Sequence, residues 1–133
     1  MRIFLIGADL YLVGLGLIVA IVVYPAFHLV GAGQWLAYHD AHVRRISAAV
    51  APAWVIQGIG SLWWLLHGPH RLLALAHAVL AALAVVLTML QALPIHHRLS
   101  RHHDDQDITQ LERWHFLRTA LWVGCAAIVV LAR

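Results

Sequence analysis

The sequence predicts an all-α integral membrane protein, a four-helix bundle with up-down-up-down topology. Three observations carry this prediction. Of the 133 residues, 62% are hydrophobic and 11% charged, more apolar surface than so small a soluble domain can hide, though lipid accepts it. Four stretches approach or exceed the roughly 20 apolar residues that a membrane crossing needs. Those stretches are rich in Leu and Ala and lack two-residue alternation, which favours helices over strands.

The spans fall at about residues 3–23, 46–66, 72–93 and 116–132 of a single domain covering residues 1–133. The first is interrupted only by Asp9. It is longer than a signal-peptide core, and no small-residue cleavage site precedes Tyr24-Pro25, so it reads as a retained helix. Pro52 lies inside the second span. The third contains His77, Thr88 and Gln91, and the fourth is short, with Arg118 near its start. His67-Gly68-Pro69-His70 is a tight turn between the second and third spans. The other two connections are longer. Pro25 is expected to end the first helix, leaving an amphiphilic link to Arg45. Pro94 is expected to end the third, before the most polar segment of the chain. Ile108, Leu111 and Trp114 recur there at helical spacing, which starts the fourth helix near Asp107, outside the bilayer.

The net charge of +3 comes from nine Arg, with no Lys, against six acidic residues. These are scattered, so nucleic acid is not an expected partner; the lipid bilayer is. A lone Cys125 excludes an intrachain disulfide and reads as a small buried hydrophobe. Trp63 and Trp64 near one interface, and Trp35 near the other, read as belt residues.

The histidines are unevenly placed. Eight of eleven (His28, His39, His42, His96, His97, His102, His103 and His115) fall on the side of the first and third connections. Six Arg lie on that side and three on the other. The positive-inside rule makes the His-rich side cytoplasmic and the termini external. The two hairpins also form a weak repeat. Each first helix runs into a Pro followed by His. Each second helix opens on an H-x-x-R pair, His42/Arg45 and His115/Arg118, with both side chains on one helical face.

Candidate chemistry follows. His39, His42, His96 and His115 bring imidazoles from three helices to one end and are the candidate metal ligands. A mainly His site favours copper, then zinc or iron. The competing reading is that interfacial His residues meet headgroups and water; it suits His102 and His103 best. Arg45 and Arg118 sit one turn inside their helices, where a cation either snorkels or pairs. They are candidate anion clamps. Asp9 and His77 lie at similar depth and are expected to pair. With no second deep His, a bis-His haem is not expected. Trp122 shares a face with His115 and Arg118, and core packing is the common role for such a ring.

Tyr38-His39-Asp40-Ala41-His42-Val43-Arg44-Arg45-Ile46, Pro94-Ile95-His96-His97-Arg98-Leu99 and Leu111-Glu112-Arg113-Trp114-His115-Phe116-Leu117-Arg118-Thr119-Ala120-Leu121-Trp122 together resemble small bacterial membrane proteins of unknown function grouped with anthrone oxygenases. The resemblance spans nearly the whole chain. It implies a four-helix membrane bundle in the bacterial inner membrane. Named members of the family oxidise polycyclic anthrones to anthraquinones with dioxygen. His39, Arg45, Pro94, His96, Arg118 and Trp122 fall on its motif positions. Where members commonly carry Asn, this chain has His115.

Two functions are therefore expected. The first is a membrane oxidoreductase, oxygenase-like, acting on a lipophilic phenolic or polycyclic substrate. His39, Arg45, His96 and Arg118 would be catalytic and copper the favoured metal. The alternative is a non-enzymatic metal-binding or structural membrane protein. Homo-oligomerisation stays open in either case.

Overall fold

The computed structural model describes residues 1–132. Four helices make up almost all of it: α1 (Arg2–Phe27), α2 (Ala32–His67), α3 (Arg71–Leu99) and α4 (Asp105–Leu131). All four are long and apolar enough to cross a membrane. The predicted all-helical four-helix architecture is the one observed.

The helices form a square in chain order, each packing on its two sequence neighbours, with α4 closing back on α1. Arg2 Nη2 donates to the Val129 carbonyl at 3.3 Å, so the two ends of the chain meet. Large apolar side chains such as Ile3, Ile21, Leu72 and Leu90 point outward, where lipid is their natural solvent.

Two of the three short links are built from local chemistry. At the α2–α3 turn, Gly68 lies against Trp64, where a Cβ would overlap the indole. His70 then takes a left-handed backbone, φ 58°, to launch α3. Asp104 caps α4, its carboxylate accepting the Asp107 N–H at 2.8 Å. Asp105 and Asp107 add negative charge to the first turn, which complements the helix dipole.

Three expectations change. Neither Pro25 nor Pro94 ends its helix. A π-helical turn precedes each, Val19–Val23 and Thr88–Ala92, and the helices run on to Phe27 and Leu99. A proline lacks the N–H for the normal bond and crowds the carbonyl four residues back. A widened turn relieves that conflict without breaking the helix. The expected amphiphilic link before Arg45 is mostly helix, because α2 begins at Ala32. At 1.5 Å per residue α2 is about 54 Å long, well beyond the roughly 30 Å hydrocarbon core, so one end projects past it. Trp35 is no belt residue. It is fully buried, and its indole N–H donates to the Leu99 carbonyl at 2.7 Å.

Candidate functional site

The projecting end is closed by a polar cap. His28 contacts Asp105 at 2.7 Å, His103 Nε2 donates to the Phe27 carbonyl at 3.1 Å, and Arg98 grips Asp107 through two nitrogens. Beneath the cap a hydrophobic layer of Phe27, Trp35, Leu99 and Ile108 is sealed from solvent.

Next to that layer lies the His/Arg cluster. His39 Nε2 and His96 Nδ1 share a hydrogen bond of 3.1 Å. His42 stacks beside His96 with ring centroids 6.1 Å apart. Tyr24, buried on α1 just after the π turn, reaches His96 Nε2 with its hydroxyl at 3.4 Å. Its ring meets His115 edge-on at 4.9 Å. With the Tyr24 hydroxyl donating to His96 Nε2, His96 Nδ1 donates to His39 Nε2, and the three groups form one directional chain toward the cap.

His115 is differently employed. Arg118 Nη2 donates to its Nδ1 at 2.6 Å, so that nitrogen is an acceptor; Nε2–H donates to the Gly16 carbonyl at 2.8 Å. Both ring nitrogens are thereby committed, and the tautomer is set by its neighbours. The approach to Gly16 needs a glycine. A Cβ there would lie 2.8 Å from Thr119 Oγ1 and 3.2 Å from Trp122.

Arg118 Nη1 donates to Thr88 Oγ1 at 2.9 Å, at the start of the second π turn. Its guanidinium stands 5.3 Å over the Trp122 ring, a cation–π placement. It also borders a cavity of about 270 Å³ between α2 and α3. Tyr24, His96 and Arg118 contribute polar groups to that cavity, and Val50, Trp54 and Ala92 contribute apolar wall. Ser47, Ala51, Met89 and Leu93 are exposed at its rim, so it opens sideways, toward lipid. Among the described residues, the buried side-chain nitrogens without a partner are His42 Nε2, Trp54 Nε1, Arg118 Nε and Trp122 Nε1. All four belong to side chains that line this cavity or pack against one that does.

The sequence-expected residues thus divide. His39, His42, His96, His115 and Arg118 come together. Arg45 does not join them. It is exposed and lines a separate groove with Leu15, Tyr38 and His42 between α1 and α2. Among the described residues, no three His, Cys, Asp or Glu side chains are arranged to hold one ion. His115, turned onto Gly16 and Arg118, is the clearest departure from the expected four-His set. Tyr24 and Thr88 were not singled out as site residues. Tyr24 had a signal, its place before the proline at the end of a span.

Asp9 and His77 pair as expected, at 2.8 Å and fully buried. They reach across the diagonal of the square, where the α1 and α3 backbones stay apart.

Fold and site together define a small all-helical membrane protein whose one polar end carries a His/Tyr/Arg cluster beside a lipid-facing cavity. No family model, no curated protein and no solved structure matches the chain.

Proposed function

We propose that the chain is a membrane oxidoreductase acting on a lipophilic phenolic or polycyclic substrate that enters the α2–α3 cavity from the bilayer. The observation that carries this reading is the convergence of Tyr24, His96 and Arg118 on one side-opening, mostly apolar cavity. Such a cavity suits a flat, greasy molecule bearing one or two oxygen acceptors. The unpartnered N–H groups around it are suited to those acceptors.

In this reading His96 receives a proton from the substrate's phenol or activated methylene and passes it outward through His39. Arg118 stabilises the resulting phenolate or enolate, since a fixed cation acts most strongly where water is scarce. Dioxygen is the oxidant. One methylene and one dioxygen become one carbonyl and one water, so the electrons balance without another reductant. Oxygen consumption by detergent-purified protein with an anthrone tests the reading. Turnover lost in Arg118→Met and in His96→Ala supports it; turnover unchanged in both defeats it.

A second reading, a metal-binding membrane module, rests on the adjacency of His39, His42 and His96 and on the unpartnered His42 Nε2, and it requires His39 and His96 to give up their mutual hydrogen bond and turn toward one ion. Copper is the first candidate. Elemental analysis of wild type and His96→Ala decides it: stoichiometric metal, lost in the variant and without oxygen consumption, selects the module.

The resemblance to bacterial proteins and the six-to-three Arg asymmetry support placement in a bacterial inner membrane with the His-rich end cytoplasmic. A cysteine replacing exposed His102 and labelled from the external side would reverse that orientation.

A further inference from the structure

The second polar cluster lies about 10 Å along α1 from the His115 contact, at 1.5 Å per residue from Gly16 to Asp9. It contains Asp9, Gln57, Ser61 and His77, all essentially inaccessible, with exposures of 0–5%. Hydrogen-bond direction can be followed atom by atom. Gln57 Nε2 donates to Asp9 Oδ1 at 2.7 Å. The Ser61 hydroxyl donates to the Gln57 carbonyl at 2.6 Å. A hydroxyl has one proton; with the shorter contact, to the Gln57 carbonyl, taking it, Ser61 accepts toward His77 Nδ1, 3.1 Å away. His77 Nδ1 therefore carries a hydrogen. His77 Nε2 and Asp9 Oδ2 face each other at 2.8 Å, and two bare lone pairs would repel at that distance. One further proton sits between them. Whether it rests on nitrogen or on oxygen, the cluster has no net charge.

We propose that Asp9, His77 and Ser61 form a buried proton-binding site, and that the arrangement seen here is its loaded, neutral form. Unloading needs little movement. The Nδ1 proton passes to water reaching the cluster from the cavity beyond Trp64, the shared proton settles on Nε2 as a donor to the carboxylate, and the Ser61 hydroxyl turns from the Gln57 carbonyl to donate to Nδ1. The charge goes from zero to minus one. No helix shifts, because the Gln57 carbonyl also lies in the regular hydrogen-bonded run of α2.

The surroundings suit a site that trades a proton rather than a fixed ion pair. α4 faces the cluster with the Cys125 thiol, directed at the His77 carbonyl at 3.8 Å, which supplies an S–H and no counter-charge. α2 adds the Trp64 ring, edge-on to His77 at 5.7 Å. Trp64 and Gly60, the neighbour of Ser61, also line a cavity of about 160 Å³ at the end where the termini meet. One indole thus separates His77 from a route to water on that side. This site shares no residue with the His/Arg cluster and does not depend on the oxidoreductase reading.

The test is nitrogen NMR of the full chain in detergent micelles, with labelled histidine and serine. The chain has three serines, Ser47, Ser61 and Ser100. The Ser61-coupled imidazole is assigned by its loss in Ser61→Ala, or by its persistence in Ser47→Ala and Ser100→Ala should the first variant not fold. The expected result is a protonated Nδ1 at neutral pH. On raising the pH while the fold persists, Nδ1 loses its hydrogen in one step and Nε2 retains one. A bare Nδ1 at neutral pH overturns the loaded assignment. A protonated Nδ1 that never titrates before unfolding marks a fixed structural pair and overturns the site.

Discussion

At the Asp9 cluster every polar side chain has a partner; at the Arg118 cluster several do not. Both use a His, a hydroxyl and a charged group contributed by different helices. The Asp9 set closes on itself, with Gln57, His77 and Ser61 completing a dry network. The Arg118 set is left open, with unpartnered N–H groups on Arg118, Trp122 and Trp54 and a cavity alongside. Buried polar groups normally find partners. A closed network holds helices together; an open one beside a cavity is arranged for something that arrives later. The contrast separates a cluster whose loss should weaken the fold from one whose loss, on the proposed oxidoreductase reading, should leave the fold and remove turnover.

The largest expected effect tests the closed side. Asp9→Ala leaves the Gln57 amide and the His77 imidazole facing an apolar void. Removing one partner of a buried pair costs about 3–5 kcal/mol. An average interhelical hydrogen bond in a membrane is worth only about 0.6 kcal/mol. Unfolding in graded denaturing detergent should therefore show a loss near the lower end of the first range, because the membrane-unfolded chain finds other partners. A loss near the second figure would mean that the cluster is ordinary helix glue. Substituting Asp9 and His77 together by leucine should recover part of the loss, with a coupling between about 0.5 and 3 kcal/mol. Purely additive losses would contradict the contact.

The open side is tested by Arg118→Met. Methionine keeps most of the stem volume and removes the cation. Unfolding should change little, since a desolvated cation is itself costly. Turnover should fall about 10²–10³-fold, the usual loss when one preorganised donor to a developing anion is removed. A destabilised protein with normal turnover would exchange the roles of the two clusters.

Much of this division was legible in the sequence, and the remainder had physical reasons not to be. Four apolar runs announced four helices. Asp9 and His77 stood out because ionisable groups inside a membrane span rarely lack a purpose. The His/Arg end was visible as an asymmetry of residue type. The helix ends near Pro25 and Pro94 are not legible, because local sequence marks proline as a stop while a π turn before each proline relieves its conflict and lets the helix run on. The same turn hid Tyr24. The residues after a widened turn change the face they present, and Tyr24 turns inward for that reason. Arg45 and Arg118 carry the same local motif, and only the packing of α4 between α1 and α3 makes Arg118 partly buried while Arg45 is exposed. His115 looked like a ligand from its type alone. Its commitment to Gly16 depends on how closely α1 and α4 approach, which spacing does not encode.

That approach yields a smaller prediction. Gly16→Ala places a methyl against Thr119 and Trp122 at distances that require movement. Overpacking of this kind costs about 1–3 kcal/mol. The displaced backbone should also lengthen the His115 hydrogen bond to the residue-16 carbonyl and loosen the Arg118 contact. Turnover should therefore fall by more than stability alone explains, measured at a temperature where both proteins are folded. Unchanged stability would mean that α1 and α4 separate easily.

The smallest expected effect is the most informative about the internal repeat. Arg45 and Arg118 occupy matching places in the two H-x-x-R pairs, and each lies near a π turn of the preceding hairpin helix. Were the halves equivalent in function, the two cations would act alike. They stand in different surroundings. Arg118 bonds to Thr88 and His115 from a partly buried position. Arg45 is exposed over a groove whose α1 wall is Leu15, Ile18, Val19 and Val23, with no hydroxyl where Thr88 stands in the other half. An exposed Arg near a span end is free to snorkel. Arg45→Ala should accordingly change unfolding by less than about 0.5 kcal/mol and leave turnover within about twofold, set against the roughly hundredfold loss expected for Arg118→Met. Comparable losses in the two variants would show that the groove beside Arg45 takes part in the same reaction and that the repeat is a functional duplication. A null effect at Arg45 assigns the reaction to one half of the bundle, with the other half retaining the motif as an anchor.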